Sequence, residues 1–224
     1  MNIAFHGKTG SGKSLAASAL VLHREYKKES FALPVKLICA GIYKHYHGMT
    51  MQNAQLFIEK EKHTPAAPFM ADEKALYRSI EACLNEHFPE YVERTDDLHG
   101  ILWSDKVKSP RTMQRLIGTD WGRNSISQDV WINHLKKRMG KKKSFFAIDD
   151  VRFPNELEFL RKKKFHIVQI VTSRPPIADE FHESESHIYE LDFDEQIENE
   201  YDEQFLKRVL KSAGGKEEDE EEQE

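Results

Sequence analysis

Two cysteines in 224 residues, Cys39 and Cys83, are too few for a disulfide framework or a zinc site. Both are read as free thiols in a reducing cytoplasm. No apolar run approaches the ~20 residues that a membrane-spanning helix needs, so no span is expected. The N-terminal residues Met1 to Gly7 lack a basic stretch followed by an apolar one and are read as a buried first strand, not a leader. Eleven histidines show no metal spacing such as H-E-x-x-H. No internal repeat is present.

A large net charge is missing too. The formal charge is −5, but residues 216–224 alone carry −6, which leaves the rest near +1. A near-neutral body with local basic clusters suits small anionic ligands better than long nucleic acid, and no stable nucleic-acid partner is expected. Residues 214–224 have no apolar side chain and repel themselves, so they are expected to form a disordered acidic tail.

What is present is a core-forming chain, 39% hydrophobic and 32% charged. Asn2 to Phe5 reads as a short strand. Lys13 to about Lys28 reads as a helix with Leu15, Ala19 and Leu22 at helical spacing. Phe31 and Ala32 look like the end of a second strand. Pro34 suits the first turn of a helix whose apolar face is Val35, Ile38 and Ile42. Met49 to about Arg94 is largely polar and helical, with breaks near Pro65, Pro68 and Pro89. Pro110 opens a helix that Gly118 is expected to close. Asp129 to Met139 is a further helix, closed by Gly140.

Ser144 to Ile148 and Phe165 to Val171 are apolar strands, and Phe193 to Ile197 is a weaker one. Asn155 to Lys164 and Glu203 to Lys211 are helical. Strands alternating with helices imply an α/β fold with a parallel sheet covered on both faces.

Gly7-Lys8-Thr9-Gly10-Ser11-Gly12-Lys13-Ser14 matches G-x-x-x-x-G-K-[ST] at every fixed position. Glycines let the backbone wrap closely, and the loop N–H groups converge on phosphate oxygens. The following helix adds its positive N-terminal end. Lys13 is placed to reach β- and γ-phosphates, and the Ser14 hydroxyl to join a Mg²⁺ shell. A chance glycine-rich turn would lack the strand before it and the helix after it. The loop alone does not separate kinases from other nucleotide hydrolases.

Phe145 to Asp150 reads as a strand ending in two acids, on the edge of the sheet that faces the phosphate loop. Either Asp149 or Asp150 can serve a metal; alone, the pair reads equally well as solvated acids. Asp150-Val151-Arg152-Phe153-Pro154-Asn155-Glu156 then places an acid, an arginine and another acid around a strand-to-helix turn. An arginine beside a carboxylate is held ready to fork onto a phosphate. Arg111, Arg115 and Arg123 flank Gly118-Thr119-Asp120. Each alone reads as a surface residue; as a set beside a phosphate loop they offset the charge of two anions during phosphoryl transfer. Trp131, beside Ile132 and Leu135, reads as core. Trp121 and Phe153 are candidate apolar walls of an acceptor site.

In this order the motifs resemble the bacteriophage-type deoxynucleoside monophosphate kinases, over most of the chain from Met1 to about Lys211. Phe31-Ala32-Leu33-Pro34-Val35-Lys36 looks like that family's strand-to-helix segment ending in a lysine near the acceptor. Pro110 to Asp120, with Arg123 and Trp131, is similar to its arginine-and-glycine block. Asp150-Val151-Arg152 with Glu156 is similar to its D-x-R…E signature. Arg174-Pro175 with His182-Glu183-Ser184-Glu185 resembles its late segment, and Ile197 and Asn199 fit its last strand.

The resemblance implies a P-loop nucleoside-monophosphate-kinase-like fold over residues 1–213, with about 45–140 an inserted helical acceptor-binding region. It also implies ATP with Mg²⁺ and a role in DNA precursor supply in the cytoplasm, the host's if the chain is phage-encoded. On this reading the loop from Gly7 to Ser14 and Arg174 hold ATP. Lys36, Arg111, Gln114, Arg123, Asp150, Arg152 and Glu156 hold the acceptor. Lys13, Arg111, Asp150 and Arg152 act in transfer, and Ser14 and Asp150 serve the metal. Asp150 either orients a metal-bound water or fixes an arginine. A homodimer is left open. The rivals are a kinase of another small phosphate such as phosphomevalonate, a P-loop ATPase acting on nucleic acid, and a non-catalytic nucleotide binder.

Overall fold

Ile3–His6 forms β1, buried along its whole length, and the sheet is built around it. The computed structural model describes residues 1–62, 64, 71–104, 109–140, 144–173 and 191–214. On one side of β1 lies β3 (Phe146–Ile148) and on the other β4 (His166–Val171). The edges are β2 (Lys27–Glu29) and β5 (Glu195–Glu198), giving the order β2-β3-β1-β4-β5. All four pairings are parallel. The α/β class and the parallel sheet expected from the sequence are present. Parallel strands buried on both faces explain the unbroken run Phe146-Ala147-Ile148.

The chain divides into two compact units. The sheet unit comprises Met1–Phe31 and Leu135–Glu224. Its helices are α1 (Lys13–Arg24), α8 (Pro154–Lys162) and α9 (Glu203–Ser212). Ile3, Phe5, Ala16, Ala17, Leu20, Val168, Ile170, Phe205 and Val209 form one core.

Three expectations for this unit change. Helix α1 stops at Arg24 and does not reach Lys28, because Glu25 turns left-handed (φ 55°) and Lys27 already pairs with Phe146. Its buried face is Ala16, Ala17, Ala19 and Leu20, while Leu15 and Leu22 are exposed. Small alanines let the helix lie close to the sheet, so the face is chosen by fit and not by the largest side chains. Phe31 and Ala32 do not extend β2; they form the turn into the next helix.

The helical unit runs from Ala32 to His134. It holds α2 (Leu33–His47), α3 (Met51–Lys60), α4 (Glu73–His87), a 3₁₀ turn (Pro89–Arg94), α5 (Thr95–Ser104) and α6 (Pro110–Arg115). A π-helix (Leu116–Ile126) and the start of α7 (Val130–Met139) complete it. Thr50, Asp72 and Ser109 cap α3, α4 and α6, each accepting a backbone N–H three residues on. Val35, Ile38 and Ile42 are buried, as their spacing predicts. Cys39 and Cys83 are both buried free thiols. Burial pushes the Cys83 thiol up to about 12 and Cys39 above its usual range, so neither is a ready nucleophile.

Gly118 does not end its helix. The chain continues as a π-helix, and Ser127 N–H donates to Gly122 O five residues back, at 3.0 Å. The glycines of this stretch serve Trp131 instead. The indole Nε1 donates to Gly118 O at 2.8 Å, and a Cβ built on Gly122 would fall 2.1 Å from Trp131 Cζ2. Gly122→Ala is therefore expected to overpack this contact and cost about 1–3 kcal/mol. Thermal unfolding checks it: an unchanged melting temperature would mean that the tethered indole can step aside.

Candidate active site

The phosphate loop leaves the carboxyl end of β1 and enters α1, the context its sequence requires. Two of its glycines are obligatory. Gly7 has φ 142°, and a Cβ there would lie 2.2 Å from Ile170 O on the neighbouring strand. Gly12 has φ 101°, and its Cβ would lie 2.4 Å from Asn199 Nδ2. Lys13 spans the loop: its Nζ donates to Gly7 O (2.7 Å) and Lys8 O (2.6 Å). Ser11 N–H donates across the loop to Lys8 O at 3.2 Å, and the Ser11 side chain is buried. Ser14, on the first turn of α1, is exposed.

Parallel pairing of Ala4 with Ile148 brings Asp149 and Asp150 to the same end of the sheet as the loop. Asp149 is buried and pairs with Lys28 Nζ at 2.7 Å. Asp150 ties β3 to the turn after β2. Its Oδ2 accepts from Ser30 Oγ (2.7 Å) and its Oδ1 from Phe31 N (3.1 Å). Glu156 is buried, and its Oε2 accepts from Arg152 N (2.9 Å) and Phe153 N (3.1 Å). This carboxylate caps α8 and holds the backbone of Arg152 in place. Among the described residues no three His, Cys, Asp or Glu side chains cluster as a metal site.

Lys36 and Arg111 of the helical unit share one neighbourhood, around Glu59. Lys36 Nζ pairs with Glu59 Oε1 at 3.0 Å. Burial pushes the Glu59 carboxyl up, but the hydrogen bond and charge of Lys36, with the charges of Lys62 and Arg111, hold it below its ordinary value. Arg111 N donates to Lys62 O at 2.9 Å, which seats the start of α6 beside the end of α3. Sequence reading missed Glu59 and Lys62; a lysine and a glutamate in a polar helical stretch carry no motif. Gln114 borders Cys39.

Arg123 is 7% exposed on the π-helix. Arg115 instead faces Asp120 at 3.3 Å, half-exposed, a contact of small worth. Trp121 is not an acceptor wall: it is fully buried, edge-on to Tyr91 within its own unit. Trp131 is core, as its spacing predicts. Phe153 is half-buried at the start of α8. Arg174, the segment His182 to Glu185 and the tail beyond Gly214 lie outside the described residues.

Residues 51–208 match the sequence model of a family described as deoxynucleotide monophosphate kinase. The chain belongs to the deoxynucleotide monophosphate kinase family. It is 44% identical over 55 residues to the deoxynucleoside-5'-monophosphate kinase of Escherichia phage T5, a stretch covering 24% of this chain and 22% of that relative. It is 24% identical over 197 residues to an Acanthamoeba polyphaga mimivirus protein whose name assigns it as a deoxynucleotide monophosphate kinase, covering 82% of this chain and 79% of that one.

The family expected from the order of the motifs is thus the family found, and the chain is a kinase of deoxynucleotide metabolism. The family match takes in the arginine block, Asp150-Val151-Arg152 and Glu156, and begins after the phosphate loop. The loop therefore stands on its own sequence and geometry. No helix among the described residues is long and apolar enough to cross a membrane.

Proposed function

We propose that this deoxynucleotide monophosphate kinase transfers the γ-phosphate of ATP to the phosphate of a deoxynucleoside 5'-monophosphate, giving ADP and the deoxynucleoside diphosphate. The observation that carries this reading is Lys13 lying across a preformed phosphate loop, at the sheet end that also holds Asp149 and Asp150. In it the loop from Gly7 to Ser14 holds the donor phosphates, with Arg174 assigned to the same nucleotide. Lys13 moves from loop carbonyls to the β- and γ-phosphates and offsets charge gathering there.

Arg111, Arg123 and Arg152, with Lys36 and Gln114, hold the acceptor. No strong general base is needed, since the attacking phosphate oxygen is already ionised. The residues fit a magnesium ion. Exposed Ser14 would hold it directly, and Asp150 or Asp149 through water, because a carboxylate oxygen that accepts one hydrogen bond keeps a second lone pair. When bound, the ion neutralises phosphate charge.

Sugar discrimination calls for an apolar wall that leaves a 2′-hydroxyl unpaired. With Trp121 buried elsewhere, Phe153 remains the candidate. An unsatisfied hydroxyl costs about 1–3 kcal/mol, so deoxy acceptors are expected to be preferred by roughly tenfold to a hundredfold. The test is a panel of matched deoxy- and ribonucleoside monophosphates with ATP and Mg²⁺, scored for diphosphate. Equal efficiency on both sugars would remove the deoxy preference. Turnover of phosphomevalonate with no activity on any nucleotide would replace the acceptor altogether.

A further inference from the structure

The chain from β5 into α9 runs directly along the phosphate loop. Asn199 continues the strand pairing: its N–H donates to Val171 O at 2.8 Å. Its side chain is 1% exposed and bonds in two directions. Nδ2 donates to Ser11 O at 2.9 Å, and Oδ1 accepts from Tyr201 N at 2.9 Å. Tyr201 reaches back, and its hydroxyl donates to Gly10 O at 2.7 Å. Two consecutive carbonyls of the phosphate loop are therefore held by one short strap. Arg208 of α9 braces it from behind through Glu198 O (3.0 Å) and Asp202 Oδ1 (3.1 Å).

Two further features show that this contact is built rather than incidental. Tyr201 has φ 62°, a conformation that a bulky side chain rarely adopts. A residue stays there only where its surroundings over-determine it, and here both its N–H and its hydroxyl are engaged. On the loop side, only glycine at position 12 leaves room for the Asn199 amide.

A trans peptide points its C=O and its N–H in opposite directions. Holding Gly10 O toward the strap turns Ser11 N–H away from it, and Ser11 N–H does point across the loop to Lys8 O. Holding Ser11 O toward the strap turns Gly12 N–H away in the same manner. The strap thus turns successive N–H groups to the opposite side of the loop, where Ser11 N–H is taken by Lys8 O.

We propose that Asn199 and Tyr201 are positioning residues that hold the phosphate loop in its anion-binding form, acting on the polyphosphate of the donor and not on its base. The proposal rests on the phosphate-loop reading above and is independent of which acceptor is used.

The experiment measures binding of ATP and of inorganic tripolyphosphate, each with Mg²⁺, by titration calorimetry on the full chain. Tyr201→Phe removes only the hydroxyl and is expected to weaken both ligands by the same factor, about fivefold. Under turnover it raises the KM for ATP and leaves kcat in place. Asn199→Asp still accepts from Tyr201 N but sets an anionic oxygen against Ser11 O, and is expected to weaken both ligands by more than about tenfold.

Weakened ATP with unchanged tripolyphosphate in Tyr201→Phe would assign the residue to the base and overturn the proposal. Unchanged affinity for both ligands in a folded Tyr201→Phe protein would also overturn it. Failure of the wild-type chain to bind either ligand would sink the phosphate-loop reading and the strap with it. Failure of every nucleotide acceptor, with tripolyphosphate bound normally, would touch only the proposed substrate.

Discussion

Lys13→Met is expected to lower phosphoryl transfer by about a thousandfold, the upper range for removing one preorganised charge contact from a transition state. The Lys13 ammonium donates to Gly7 O and Lys8 O, and the residue lies half-buried at the start of α1. Gly7 is buried, but Lys8 is exposed, and there water can replace the ammonium. Methionine keeps the length and helix propensity of the side chain while removing its charge. Folding should therefore survive, and the melting temperature without nucleotide should stay close to wild type. The measurement is kcat with saturating ATP·Mg²⁺ and the preferred acceptor, beside a thermal unfolding curve. Near-normal kcat would show that Gly7 to Ser14 is not the donor site.

Arg152→Ala comes next in size. Its backbone is fixed by Glu156, buried and accepting from both Arg152 N and Phe153 N, so the residue is presented from a rigid strand-to-helix turn. Loss of one fixed guanidinium from the proposed acceptor site should cost about 3 kcal/mol, or roughly a hundredfold in kcat/KM for the acceptor. ATP affinity, measured separately, should hold. Weaker ATP binding with unchanged acceptor kinetics would move Arg152 to the donor side. Glu156→Gln gives the control for positioning. A glutamine oxygen can still accept both N–H groups, so it should preserve much of the activity that Arg152→Ala removes.

The local chemistry of this protein was legible in its residues. The phosphate loop, the acid-ended strand Phe146–Ile148, the turn from Asp150 to Glu156 and the apolar face of α2 all follow from patterns spanning a few residues. Such patterns act through backbone conformation and periodicity, which depend on near neighbours. The order of those motifs along the chain was enough to point to the family that the match over residues 51–208 then showed.

Only the tertiary structure decided which surfaces meet. The sheet selects the alanine face of α1 over Leu15 and Leu22, because close approach gains more contact than two large side chains that cannot reach it. Gly118 looks like a helix stop, but a tryptophan thirteen residues on takes its carbonyl and the helix continues. Trp121 looks like a ligand wall and is instead fully buried. Glu156 holds a backbone, and Asn199 reaches a loop 188 residues away in sequence. Each of these outcomes depends on a partner distant in the chain. Burial and hydrogen-bond satisfaction are settled between such partners, so no local pattern can carry them.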